Sequence, residues 1–302
     1  MDATAWLKIE TARQKIDGLP SVIEALLGSR LSARDLAGPS SGSEVLKKDA
    51  LIFPEVPGRD AEVLSIKLHP RKPGLATREG QIRLLHDLGN IELQAMELAV
   101  RTLIEFPDAS PVFREELSEI ALDEARHFSL CLDGIEELGS HWGALPVHAA
   151  LWEAVCEFER TAESDVARPG DLLGRVLLVH RYMEGSGLDA GARITEKLSG
   201  VNEPYVKISR EIVGTILREE IGHVSFGSRW YRELCRKREI DSDKHFRKHY
   251  PEILWHMPRT ERPAYAYRTQ AGFSEPENEI IRLLFEKTDF SQKRPKVPPT
   301  FW

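Results

Sequence analysis

Apolar residues recur at helical spacing along most of the chain, with one long interruption near the N-terminus. Trp6, Ile9 and Ile16, then Val22, Ile23, Leu26 and Leu27, predict two helical pieces broken at Gly18-Leu19-Pro20. From about Gly38 to Gly80 the periodicity fails, and Pro54, Pro57, Pro70 and Pro73 interrupt any long element. A helix is expected from Arg83 to the residues before Pro107, with Leu84, Leu85, Leu88, Ala95, Met96, Ala99 and Leu103 on one face. A second starts at Pro111 and ends near Leu138-Gly139, its face made by Leu117, Ile120, Ala121, Phe128, Cys131 and Ile135. After Pro146, Trp152, Val155 and Phe158 predict an extra helix, and Arg168-Pro169-Gly170-Asp171 punctuates the chain after it. Leu173, Val176, Leu177 and His180 mark another helix, which Gly185 and Gly187 are expected to end. A short helix and a polar turn should fill 189–210. The last long helix runs from about Tyr205 to Arg238, with Val213, Ile216, Leu217, Val224, Gly227 and Leu234 on its face. Beyond it lie aromatic-rich and proline-rich coil, one helix around Glu277 to Lys287, and a basic, proline-containing tail.

Four apolar faces carry charge at their centres. Glu92 sits on the first, Glu124 and His127 on the second, Glu184 on the third, and Glu220 and His223 on the fourth. A spacing of three residues puts carboxylate and imidazole side by side on a helix. Burying an unpaired charge costs several kcal/mol (order of magnitude), so each such residue needs a strong partner. A metal ion is one. Two helices giving Glu-x-x-His and two giving a lone Glu form the donor set of carboxylate-bridged di-metal bundles. The nearby acids Glu97, Asp123 and Glu219 fall off these faces, which points to solvated or ion-paired surface roles for Glu97 and Asp123. The zinc-protease motif His-Glu-x-x-His is absent. The expected fold is all-α: a ferritin-like four-helix bundle at 80–238 holding the site, an N-terminal extension at 1–79 wrapping it, and a C-terminal extension at 239–302.

Composition narrows the setting. A formal charge of −7 gives no general pull towards nucleic acid or anionic lipid. Cys131, Cys156 and Cys235 are isolated, which argues against disulfides or a zinc–cysteine cluster and for a reducing cytoplasm. Asp2, Lys8, Glu10 and Arg13 break up the first turns, so no export signal is expected, and no apolar run is long enough to span a bilayer. Cys131 reads as a small apolar filler, Tyr182 and Trp230 as core aromatics, and His148 as the cap of the helix it precedes. His180 is open between a hydrogen-bonded core residue and a partner of a metal ligand.

At NIELQAMEL, LDEARHFSL, LPVHAALWE, MEGSGLD and EEIGHVSFGSRWY the chain resembles the bacterial ferritin-like proteins of domain-of-unknown-function 455 type, over roughly residues 50 to 235. The resemblance implies a di-metal centre with Glu92, Glu124, His127, Glu184, Glu220 and His223 as ligands. Asn90 stands where that family often has a histidine before the first Ile-Glu. More distant relatives with this ligand set include di-iron hydroxylases, one of them acting on modified tRNA, and fatty-acid and arylamine oxygenases. The family has no settled reaction. The leading expectation is an enzyme, a di-metal oxidoreductase in which Glu92, Glu124, Glu184 and Glu220 take part in activating dioxygen for hydroxylation of a small organic substrate. Its cofactor is an iron pair, with manganese–iron or di-manganese as alternatives, and an electron donor is required. A homodimer is one assembly to test; neither a membrane nor a nucleic-acid partner is expected. Three other readings stand beside it: a ferroxidase or storage protein, a tRNA-modifying hydroxylase, and a binding module that keeps the bundle only as scaffold.

Overall fold

The computed structural model describes residues 2–35, 53–161, 171–256 and 262–287. The predicted break at Arg168-Pro169-Gly170, part of the irregular segment after Gly38, and the basic tail lie outside these residues. Among them the fold is all-α, and the one extended pairing is an isolated bridge between Val63 and Val147. No described helix is long and apolar enough to cross a membrane. The chain divides into two compact units, Met1–Arg71 with Leu85–Glu153, and Lys72–Leu84 with Ala154–Trp302.

The first unit is built from α1 (Ala3–Leu7), α2 (Ala12–Asp35), most of α3 (Arg78–Glu105) and α4 (Pro111–Glu137). The N-terminal break falls between Leu7 and Ala12, and α2 runs straight through Pro20. Proline inside a helix costs about 3 kcal/mol. Leu19, Val22 and Ile23 are buried around it, and each such side chain returns about 1.5–3 kcal/mol, so packing overrides the breaker. Ser110 caps α4 by accepting from the Phe113 N–H, and Pro111 occupies the first turn. The α4 C-terminus closes as the glycine predicts. Gly139 (φ 74°) donates to Glu136 O and Ser140 to Ile135 O, the paired bonds of a Schellman cap. Arg114 donates to the carbonyls of Leu103 and Phe106, which the end of α3 leaves without helical partners. Gly89 lets α3 and α4 meet: a Cβ there would lie 3.1 Å from the Cys131 Cβ and 3.3 Å from the Phe128 ring.

The polar side of α3 is not a solvent face. Asn90, Gln94, Glu97 and Arg101 are all buried. Asn90 and Gln94 donate to the His148 carbonyl, and the Arg101 guanidinium lies between the rings of Phe53 (4.7 Å) and Trp152 (4.8 Å). Glu97, expected off the core, is fully buried and takes Lys15 at 2.5 Å on one oxygen and Arg59 at 2.6 Å on the other. It is ion-paired as expected, but inside. Segments remote in sequence supply the cations, and helix phase alone cannot register them.

The second unit contains α6 (Leu172–Arg175), a π-helical segment (Val176–Met183), α7 (Glu184–Ser199) and α8 (Val206–Lys237), followed by α9 (Ser242–His256), α10 (Tyr265–Gln270) and α11 (Glu275–Lys287). The helix α5 (Ala150–Thr161) follows Pro146 as predicted, with Trp152 and Val155 fully buried. Two expectations fail here. Gly185 and Gly187 do not end a helix: α7 continues to Ser199. Gly185 is needed for space, because a Cβ there would stand 3.0 Å from an Arg268 guanidinium nitrogen. Nor are residues 249–256 and 265–270, expected as coil, without helix: they belong to α9 and α10. α9 runs through Pro251 because Phe246, Tyr250 and Ile253 are buried, with Phe246 and Tyr250 stacked at 4.3 Å.

Candidate metal centre

The middle of α4 carries Glu124 and His127, both fully buried, on the same face as Phe128 and Cys131. The His127 Nδ1 lies 3.7 Å from a Glu124 oxygen, as the three-residue spacing requires, and 3.5 Å from a Glu92 oxygen on α3. α8 repeats the pattern. His223 Nδ1 is 3.4 Å from a Glu220 oxygen, and both residues are buried. One ligand atom from each of Glu124, His127, Glu220 and His223 can be chosen so that all four lie within 4.8 Å of one another.

These distances suit a shared cation better than direct pairing. Separations of 3.4–3.7 Å exceed a good hydrogen bond, which closes to about 2.7–3.2 Å. Two donors on one ion, each about 2.0–2.2 Å from it, are about 3–4.4 Å apart depending on the angle between them. Two carboxylates and two imidazoles also form the mixed oxygen and nitrogen set that first-row divalent ions accept. The group can hold a metal ion.

Of the six expected ligands, Glu124, His127, Glu220 and His223 are thus brought together, and Glu92 stands against His127. Glu184 is placed differently. It is half-buried, at the junction where the π-helical segment passes into α7, and its N–H donates to the carbonyl of Val179 five residues back. The phase that aligned Leu173, Val176, Leu177, His180 and Glu184 assumed 3.6 residues per turn throughout. Residues 176–183 depart from it, and all eight are buried, so no single apolar face exists there.

The remaining candidates are resolved by their contacts. His148 caps α5, its Nδ1 accepting from the Ala150 N–H at 3.3 Å, as expected. His180 is buried edge-on to Phe226, with ring centroids 5.2 Å apart. Tyr182 packs on Tyr250 and Trp230 on Phe226, both as core. Asp123 pairs with Arg126 on the surface. Cys131 is a fully buried filler, its thiol pushed well above the usual range by burial and then by the charge of Glu92. Burial likewise pushes Cys235 up to about 11. In a native-state titration with a thiol reagent at mild alkaline pH, the half-buried Cys156 is expected to react and Cys131 and Cys235 to stay protected until urea is added. Fast labelling of all three would contradict this packing.

Sequence reading passed over several charges that the interior holds: Lys15, Arg59, Arg181, Asp189, Arg268 and Glu277. A signal existed for one of them. Arg181 interrupts the apolar run Val176–Met183, and a cation there demands a partner.

Residues 10–279 match the family described as "Protein of unknown function (DUF455)". The chain is also 30% identical, over 254 residues, to an uncharacterized protein of Haemophilus influenzae, a match covering 80% of this chain and 81% of that one. No solved structure matches it.

Proposed function

The chain belongs to the DUF455 family, and on the buried carboxylate–imidazole cluster of α4 and α8 we propose that it is a ferritin-like di-metal oxidoreductase. It would activate dioxygen as a hydroxylase or oxygenase acting on a small organic substrate. The observation that carries this reading is the convergence of two buried Glu-x-x-His pairs within 4.8 Å. Glu124 with His127 on α4, and Glu220 with His223 on α8, would hold the ions. Glu92, beside His127, and Glu184 would complete the donor set. Bound divalent iron would supply the electrons that dioxygen needs; manganese–iron and di-manganese pairs take the same donors.

The protein's own contribution is placement and exclusion. Both imidazoles turn Nδ1 towards the carboxylates and would offer that nitrogen to a metal. Full burial of Glu124 and His127 keeps bulk water from these donors and strengthens every charge interaction among them. Burial and then the charge of Glu92 disfavour the thiolate of Cys131, one turn beyond His127, so the donors remain the carboxylates and imidazoles.

The test is to load the purified protein anaerobically with ferrous iron and then admit oxygen. Two ions per chain are expected, followed by a near-ultraviolet band of the oxidised pair and oxygen uptake faster than that of free ferrous iron. Fewer than two ions bound per wild-type chain sinks the proposal.

A further inference from the structure

The segment carrying Glu184 is gripped from the C-terminal side at residues on both sides of it. Three residues before Glu184, the fully buried Arg181 guanidinium meets Glu277 of α11 at 2.5 Å. It also lies 3.8 Å from the Phe273 ring centroid and donates to the Ser228 hydroxyl, which in turn donates to the Ala271 carbonyl at 2.7 Å. One residue after Glu184, the Gly185 carbonyl accepts from Arg268 of α10 at 2.7 Å. Arg268 also forks onto Asp189, with Nε to one oxygen at 2.9 Å and a terminal nitrogen to the other at 2.7 Å. Asp189 accepts the Ala264 N–H at the start of α10 as well. Glu277 is fixed by its own turn, since Ser274 and Glu277 form a reciprocal capping box at the start of α11. From the other side α8 closes in. The His180 carbonyl lies 2.2 Å from where a Cβ on residue 227 would be, an approach that Gly227 alone permits.

A π-helical turn has poorer geometry than an α-turn and persists where its surroundings over-determine it. Were Val176–Met183 to relax to α-helical pairing, Glu184 would rotate relative to the residues before the segment by about one residue's worth, roughly 100°. The contacts on Arg181, Gly185 and Asp189 oppose that rotation. We propose that α10 and α11 form a clamp that holds Glu184 in register with the metal centre. Arg268, and Glu277 acting through Arg181, are its positioning residues. The inference rests on the di-metal reading and names what keeps one of its donors in place.

Full-length Arg268→Lys and Glu277→Gln proteins would be compared with wild type, with Glu184→Ala, and with the double variant Glu184→Ala/Arg268→Lys. Each would be titrated anaerobically with ferrous iron and its bound metal counted, with helicity and melting of the metal-stripped form recorded in parallel. Arg282→Gln, on the exposed side of α11 and paired with Glu279 and Glu286, is the control. The clamp variants are expected to stay helical while their affinity for the second ion falls about 10–100-fold, the range found when supports of metal ligands are removed. Glu184→Ala should show the same loss, and the double variant should be no worse, because both changes disable one donor. Glu277→Gln keeps the shape of the side chain and carries the test if Arg268→Lys fails to fold. A lower melting point with both ions bound at wild-type affinity would overturn the clamp alone. A wild-type protein without an ion pair would overturn the di-metal reading and the clamp with it.

Discussion

Glu97→Ala is expected to destabilise the fold by about 3–5 kcal/mol, the cost of stranding buried charge. Glu97 is the shared anion of Lys15 and Arg59, all three inside the first unit. Its removal leaves two cations facing each other over the backbone carbonyl of Gly58, to which both already donate. The loss should depend on pH with a definite sign. Burial already holds the Lys15 ammonium below its ordinary value of 10.5 despite the attraction of Glu97, and Arg59 pushes the same way as burial. Without Glu97 the depression deepens. In the window between the folded and unfolded values the unfolded chain binds the proton and the folded chain does not, so stability rises with pH. The deficit of the variant is therefore largest at neutral pH and shrinks as the solution approaches the ordinary lysine value. Urea unfolding of wild type and variant at neutral and at alkaline pH measures both effects. A loss below about 1 kcal/mol, the worth of a surface pair, would mean that the triad is solvated.

The other large effect is metal linkage. A ligand that binds only the folded chain stabilises it by about 4.1 kcal/mol when present at a thousand times its dissociation constant. Stripping the wild-type protein with a chelator is expected to lower its unfolding free energy by about that amount for each ion removed. Glu124→Gln should be nearly insensitive to the same treatment. Once both proteins are metal-free the variant should be no less stable than wild type, because a fully buried carboxylate costs more than the amide that replaces it. Melting curves with and without chelator read all four values. A chelator-dependent shift that persists in Glu124→Gln would remove Glu124 from the donor set.

The helices of α3, α4, α5, α8 and α11 were readable because each has an apolar stripe at one steady period and conventional ends: Pro107 after α3, Ser110-Pro111 and Gly139 around α4. Glu124, His127, Glu220 and His223 were readable for the same reason. Charge on the centre line of a buried stripe stands out, and i,i+3 spacing needs only the local helix to bring two donors together. The misreadings share a cause. Pro20 and Pro251 read as breakers, and Gly185 as a terminator, because propensity weighs a fraction of the energy that burial then supplies. Glu97 read as a surface acid because a polar face was equated with water, whereas the first unit covers that face with Lys15, Arg59, Phe53, Trp152 and a carbonyl of His148.

The two Glu-x-x-His pairs are thus a property of the sequence, since neighbours on one helix turn are set by covalent spacing and backbone hydrogen bonds alone. Glu184 is not. Its place depends on eight residues in π-helical pairing, and nothing in the pattern Val176–Met183 separates that from an ordinary helix. The tertiary structure decides it, through Gly227 on one side and the buried pairs Arg181–Glu277 and Arg268–Asp189 on the other. Partners 47 to 96 positions away in the chain, from Gly227 against His180's turn to Glu277 against Arg181, impose the conformation, and only folding can bring their charges and surfaces to bear.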